Sequence, residues 1–70
     1  MTGYAVVIEG DQDGYSAYVP DLPGCVAAGA TIDEVESLIR QAIELHLNSL
    51  RAHGDPVPPP SAVATTVVVA

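Results

Sequence analysis

Residues 31–52 constrain this chain more than any other stretch. Ile32, Val35, Leu38, Ile39, Ala42, Ile43, His46, Leu47 and Leu50 recur at helical spacing and form one broad apolar stripe. Thr31 followed by Glu34 reads as a capping box, the hydroxyl accepting from the third helical N–H while the carboxylate reaches back. Asp33, Glu34 and Glu36 lie where the helix dipole favours negative charge, and Arg51 lies in the last turn, where it favours positive charge. Gly54 is the expected stop, with Pro56 just beyond. A stripe this wide needs an apolar surface to lie on, and the residues before it read as strands.

Tyr4–Glu9 is apolar at nearly every position and rich in residues that suit a pleated strand, so it is expected to be central or covered on both faces. The cluster Gly10-Asp11-Gln12-Asp13-Gly14 is a turn, with Gly14 placed to take positive φ at the hairpin exit. Residues 15–19 form a second strand, antiparallel to the first, with Tyr15, Ala17 and Val19 on one face and Ser16 and Tyr18 on the other. Pro20-Asp21-Leu22-Pro23-Gly24 must be an irregular corner, since its prolines remove ladder donors and Gly24 permits a reversal. A short third strand, Cys25–Ala30, follows, and its small side chains allow a helix to sit close above it.

After the helix, Asp55-Pro56-Val57-Pro58-Pro59-Pro60 is a stiff extended connector, long enough to return along the helix to the sheet. Ala64–Val69 then reads as a fourth strand, rich in β-branched residues. The expected fold is α+β, in the order β-β-β-α-β, with one helix on one face of a mainly antiparallel sheet and residues 1–70 as a single domain. The last strand is apolar and uncharged. It is expected to pair within its own sheet, which would otherwise offer an aggregation-prone edge and can continue into a second subunit. A domain this small buries only about 60% of the surface its unfolded chain exposes, which also favours a dimer, a higher homo-oligomer or a partner protein.

Charge narrows the partners. Two Lys+Arg stand against nine Asp+Glu, a formal net charge of −7 with both histidines neutral. Arg40 and Arg51 are too few to displace counterions from a nucleic acid, and anionic membranes are disfavoured likewise. A basic protein is the favoured partner. The single Cys25 fits a reducing compartment, and neither a signal peptide nor a membrane span is visible; the expected location is cytoplasmic.

No residue set marks out a reaction. A Cys25 nucleophile would need a lowered thiol pKa and a positioned base, and a small half-buried residue is wanted at that strand start anyway. His46, in the apolar stripe, reads as a core filler with one polar contact. His53, beside Gly54, reads as a ring meeting the last helical carbonyls. Asp11-x-Asp13-Gly14 faintly echoes a calcium loop, but Leu22 stands where the closing Glu belongs, so a solvated hairpin tip is the better reading. Asp21 reads as a brace for its own turn. No catalytic, metal or cofactor-binding residue is expected, and the chain is read as a binding protein rather than an enzyme.

Asp13-Gly14-Tyr15-Ser16-Ala17-Tyr18-Val19-Pro20-Asp21-Leu22-Pro23-Gly24-Cys25 resembles the signature of the HicB-like antitoxin family. Gly29-x-Thr31-Ile32-Asp33-Glu34-Val35, Gln41-Ala42-Ile43-Glu44-Leu45 and Gly54-Asp55-Pro56-Val57-Pro58-x-Pro60-Ser61 are similar to its later motifs, in the same order. The resemblance implies a β-β-β-α-β domain related to double-stranded-RNA-binding folds and assembled as dimers or tetramers. It implies that the protein binds HicA, a small basic ribonuclease toxin that degrades messenger RNA, and covers its active site. Longer members carry a DNA-binding domain after this one; none follows here, so direct DNA binding is not expected. Val35 stands where the family usually has Ala, which would set the helix slightly farther from the sheet. The expected partner contacts are Glu9, Asp11, Asp13 and Asp21, with Tyr18 as an apolar anchor. The alternative is an orphan HicB-like oligomeric binding or scaffold module with no toxin partner.

Overall fold

A computed structural model of the chain describes residues 3–70. Three strands, β1 (Val7–Asp11), β2 (Gly14–Tyr18) and β3 (Val26–Gly29), precede one helix, α1 (Ile32–Ala52). The strands form one antiparallel sheet in the order β1-β2-β3, so β2 is central and β1 lies at an edge. The α+β class with a helix over an antiparallel sheet is as expected. The fourth strand is not: residues 55–70 carry no strand. Nor is the first strand central within the chain.

The hairpin turns through Gln12 and Asp13, and the Asp11 carboxylate accepts from the Asp13 N–H at 2.9 Å. Ile8, Ala17 and Ala27 share one cross-strand row that faces the helix, and Ala17 is fully buried. The corner after β2 is held by its own backbone. Val19 N–H donates to the Cys25 carbonyl, Leu22 N–H to Val19 and Cys25 N–H to Leu22, at 3.0–3.2 Å. This folding points Leu22 straight into the protein. It is 0% exposed and joins Val19, Cys25, Val35 and Ile39 in the core.

The helix begins where its capping residue predicts. The Thr31 hydroxyl accepts from Glu34 N–H at 3.1 Å. It ends in a Schellman motif: Asp55 N–H donates to the Leu50 carbonyl and Gly54 N–H to Arg51, with Gly54 at φ +70°. His53 Nδ1 lies 2.7 Å from the Ser49 carbonyl, the role expected for that ring.

Gly29 lets the helix approach β3. A Cβ there would come within 3.1 Å of Val35 Cγ2 and of the Glu34 side chain, so Val35 is accommodated by the absent side chain opposite it. Val35 is fully buried. The stripe is only partly used. Val35 and Ile39 are buried, Leu38, Ala42, Ile43, His46, Leu47 and Leu50 are half-buried, and Ile32 is exposed. The reason is length: 21 residues of helix span about 31 Å, against about 17 Å for a five-residue strand, so α1 overhangs the sheet.

The connector returns to the sheet as its composition suggests. The Tyr4 hydroxyl donates to the Pro58 carbonyl, and the Asp21 carboxylate takes the Ser61 and Ala62 backbone N–H groups and the Ser61 hydroxyl. Beyond that anchor the chain leaves the body: Val63, Val67, Val68 and Val69 are 76–91% exposed. The Cα radius of gyration is 13.4 Å, against about 11 Å for a compact domain of this length. No helix among the described residues is long and apolar enough to cross a membrane.

Candidate functional site

The face of the sheet turned away from α1 gathers most of the residues nominated from sequence. In antiparallel pairing, opposed residues share a face. Val7, Tyr18 and Val26 therefore form one outward row, and Glu9, Ser16 and Ala28 form the next. Tyr18 is 44% exposed and Val26 is 63% exposed, so the first row is an apolar patch open to solvent. Neighbouring strands lie about 4.8 Å apart and diagonal neighbours about 7–8 Å, which puts Glu9 within one long side chain's reach of Tyr18. Asp11 and Asp13 continue the acidic character to the hairpin tip. The surface grades from an apolar end to an acidic end.

Asp21 stands apart. Both its oxygens are engaged by Ser61 and Ala62 at 2.7–3.0 Å, and these hydrogen bonds, that from the Ala62 backbone foremost, lower its carboxyl pKa below the usual value. It braces a segment forty residues away, where the sequence suggested a brace for its own turn. Because the folded-state pKa is depressed, the tether is complete at neutral pH and weakens only as pH falls past the ordinary carboxylate range toward the lower folded-state value. Replacing Asp21 by Ala is expected to speed hydrogen exchange at the Ser61 and Ala62 amides about tenfold or more. The helix amides should be unchanged. Equal exchange in the two proteins would show that the carboxylate does not hold this segment.

The sequence missed Val26, which lies in register with Tyr18 across the corner. The spacing carried the signal, since Val19–Cys25 closes the corner and makes 18 and 26 opposite one another. Cys25 is buried, and burial pushes its thiol pKa up, so the neutral form is favoured, the reverse of what a thiolate nucleophile needs. Among the described residues no group of three or more His, Cys, Asp or Glu is placed to hold a metal ion.

Comparisons with known proteins agree with this fold. The chain is 40% identical over 65 residues to the UPF0150 protein Ta0767 of Thermoplasma acidophilum, covering 91% of this chain and 94% of that one. It is 50% identical over 46 residues to a UPF0150 protein of Helicobacter pylori, covering 66% and 64% of the two chains. It also matches 41% of the length of an uncharacterized 14.9 kDa protein of Haemophilus phage HP1, at 36% identity. Among solved structures, a chain of a HicA3 and HicB3 toxin-antitoxin complex superposes with a TM-score of 0.71 at 32% identity, over 84% of this chain and 70% of that one. The family described as the HicB-like antitoxin of bacterial toxin-antitoxin systems matches residues 4–69. That span takes in the hairpin, the Pro-Asp-Leu-Pro-Gly-Cys corner, the helix and the proline connector, and the chain belongs to the HicB-like antitoxin family.

Proposed function

We propose that this protein is an antitoxin that binds a small basic HicA-type, messenger-RNA-degrading toxin and covers its active site. The observation that carries the reading is the likeness, at 32% identity, to a chain of a HicA3 and HicB3 toxin-antitoxin complex. The charge of the chain fits that role independently: −7 overall, with Glu9, Asp11 and Asp13 grouped beside an exposed Tyr18 and Val26. In this reading the carboxylates meet the cationic surface that the toxin uses for RNA, and exclude RNA by occupying it. Charge sets encounter rate and register, while the Tyr18–Val26 patch supplies apolar contact that slows dissociation. Asp21 acts only indirectly in this reading, by holding Ser61 and Ala62 against the body.

The test is an RNA-cleavage assay with a HicA-type toxin, taken from the neighbouring gene where that gene encodes a short basic protein. The native chain is expected to abolish cleavage near equimolar ratio, with association slowed by added salt. Glu9→Lys combined with Asp13→Lys is expected to raise the dissociation constant about 100-fold, and Tyr18→Ala about tenfold or more. Asp11 is left intact because it caps the turn. Undiminished cleavage at a tenfold excess of native chain overturns the proposal and favours an oligomeric binding module without a toxin partner.

A further inference from the structure

The outward face of the sheet is hollowed beside its apolar row. Glu9, Ser16 and Ala28 stand in register across β1, β2 and β3 on that face, and the next outward position of β2 is Gly14, opposite Asp11. Ser16 and Ala28 are short, and Gly10 and Gly14 have no side chain, so the backbone lies bare between the Tyr18 row and the hairpin tip. The result is an open trough of about 530 Å³ with Glu9 in its wall. Glu9 is the charged residue of the lining, and Asp11 and Asp13 follow it toward the tip. Both arginines of the chain, Arg40 and Arg51, belong to α1, which packs on the other face of the sheet. Tyr18, two residues on from Ser16 and therefore on the same face, is 44% exposed beside the trough.

We infer that this trough seats one arginine side chain of a basic protein partner, an inference that rests on the toxin-binding reading above and names the group that reading leaves open. The charge of the site selects a cation, since its wall and its approach carry carboxylates. Its shape selects a long, slender stem, because the floor is backbone flanked by Ser16 and Ala28. An aromatic or aliphatic side chain would fill the same space but strip water from Glu9 without replacing its hydrogen bonds. Lysine would bring charge as a compact, strongly hydrated point. Arginine brings a flat fork that meets both carboxylate oxygens and a face that stacks on an aromatic ring. Glu9 and Tyr18 are diagonal neighbours about 7–8 Å apart on this face, so one guanidinium reaches both. Its methylenes then cover Ser16 and Ala28. Arginine held in a central hollow is the usual form of an interface anchor. The division of labour follows. Asp11 and Asp13 attract the partner from a distance, while the trough holds it and discriminates between cations. Ser16 and Ala28 determine specificity through the room they leave.

The test fills the trough without touching its charge. Ser16→Ile with Ala28→Ile places two branched side chains, stiff at χ1, on exposed strand positions where they suit the sheet. The urea midpoint should be unchanged or raised. A capped triarginine peptide, titrated into the isotope-labelled native chain, is expected to shift the amide signals of Glu9, Ser16, Tyr18 and Ala28. A capped trilysine peptide should need about tenfold more to do the same. The filled variant should lose the difference between the two peptides. With a HicA-type toxin, the filled variant is expected to bind about 30-fold more weakly than the native chain. That sign is decisive, because a surface working only through apolar contact would gain from two isoleucines. Equal response to the two peptides, shifts confined to Asp11 and Asp13, or toxin binding undiminished in the filled variant would each overturn the inference. In the last case the antitoxin reading stands. A native chain that prefers triarginine at these four residues yet inhibits no toxin supports the arginine seat and overturns the antitoxin reading instead. The native titration decides the matter even where the filled variant fails to fold.

Discussion

Gly10→Ala is expected to open the β1–β2 hairpin and leave much of the protein unfolded at room temperature. Gly10 has φ +143°, and a Cβ built on it would lie 2.2 Å from the Gly14 carbonyl oxygen and 2.8 Å from Tyr15 Cα. Both are backbone atoms of the partner strand, so no side-chain rotation relieves the clash. The strands must separate or slip, and a slip of one residue turns Ile8 and Ala17 away from the core. Backbone strain alone costs about 1–3 kcal/mol, and the separated ladder adds to it. A domain of this size has about 3–10 kcal/mol in total. The urea midpoint followed by circular dichroism is therefore expected to fall by more than about 2 M. Gly24→Ala is the comparison. Gly24 also has positive φ, +84°, but nothing lies within 4 Å of its missing Cβ, so only the left-handed strain of about 1–2 kcal/mol applies. Equal midpoints for the two variants would show that the close approach at Gly10 is relieved without cost.

Leu22→Ala is expected to be nearly as damaging. Leu22 is 0% exposed and is the large side chain that the corner sends into the core beside Val35 and Ile39. Truncation loses the transfer free energy and leaves a cavity, together about 2–5 kcal/mol. Its neighbours are held by the corner's backbone bonds and by the helix, which limits collapse into the gap. Leu22→Met conserves volume and is expected to cost less than about 1.5 kcal/mol. Leu45→Ala removes the same atoms from a side chain that is 71% exposed and should change stability by no more than about 0.5 kcal/mol. A Leu22→Ala loss under about 1 kcal/mol, measured by denaturant unfolding, would remove Leu22 from its place as the core anchor.

Among the described residues the core is small: six buried residues, two of them from the helix and three from the corner region Val19–Cys25. Half of that core comes from the corner that contains the Pro-Asp-Leu-Pro-Gly-Cys run. Its prolines and glycine set the backbone path. The path aims Leu22 inward, and Asp21 is left on the outside to catch Ser61 and Ala62. Composition made the run a corner; it did not make Leu22 a core residue, because a lone apolar side chain among turn formers has no periodicity to reveal its direction.

Short-range physics was enough for the parts of this protein whose partners lie within a few residues. Thr31 and Glu34, the Gly54 stop, the hairpin through Gln12–Asp13 and the small residues of β3 all act through neighbours along the chain or one turn away, so their patterns read directly from the order of residues. The same holds for four of the five nominated contacts. Alternation along β1 and β2 places Glu9 and Tyr18 on one face, and the turn places Asp11 and Asp13 at its end. Other features depend on where distant segments meet. Asp21 received its role from residues forty positions later, and Val26 joined Tyr18 only through the corner's closure. The half-covered helix stripe, the edge position of β1 and the unpaired segment 63–69 reflect a geometric mismatch: a helix of about 31 Å overlies strands of about 17 Å, and three strands cannot cover it. Residue pattern records which surfaces must be buried. What buries them is settled only when the lengths and positions of the packed elements are known.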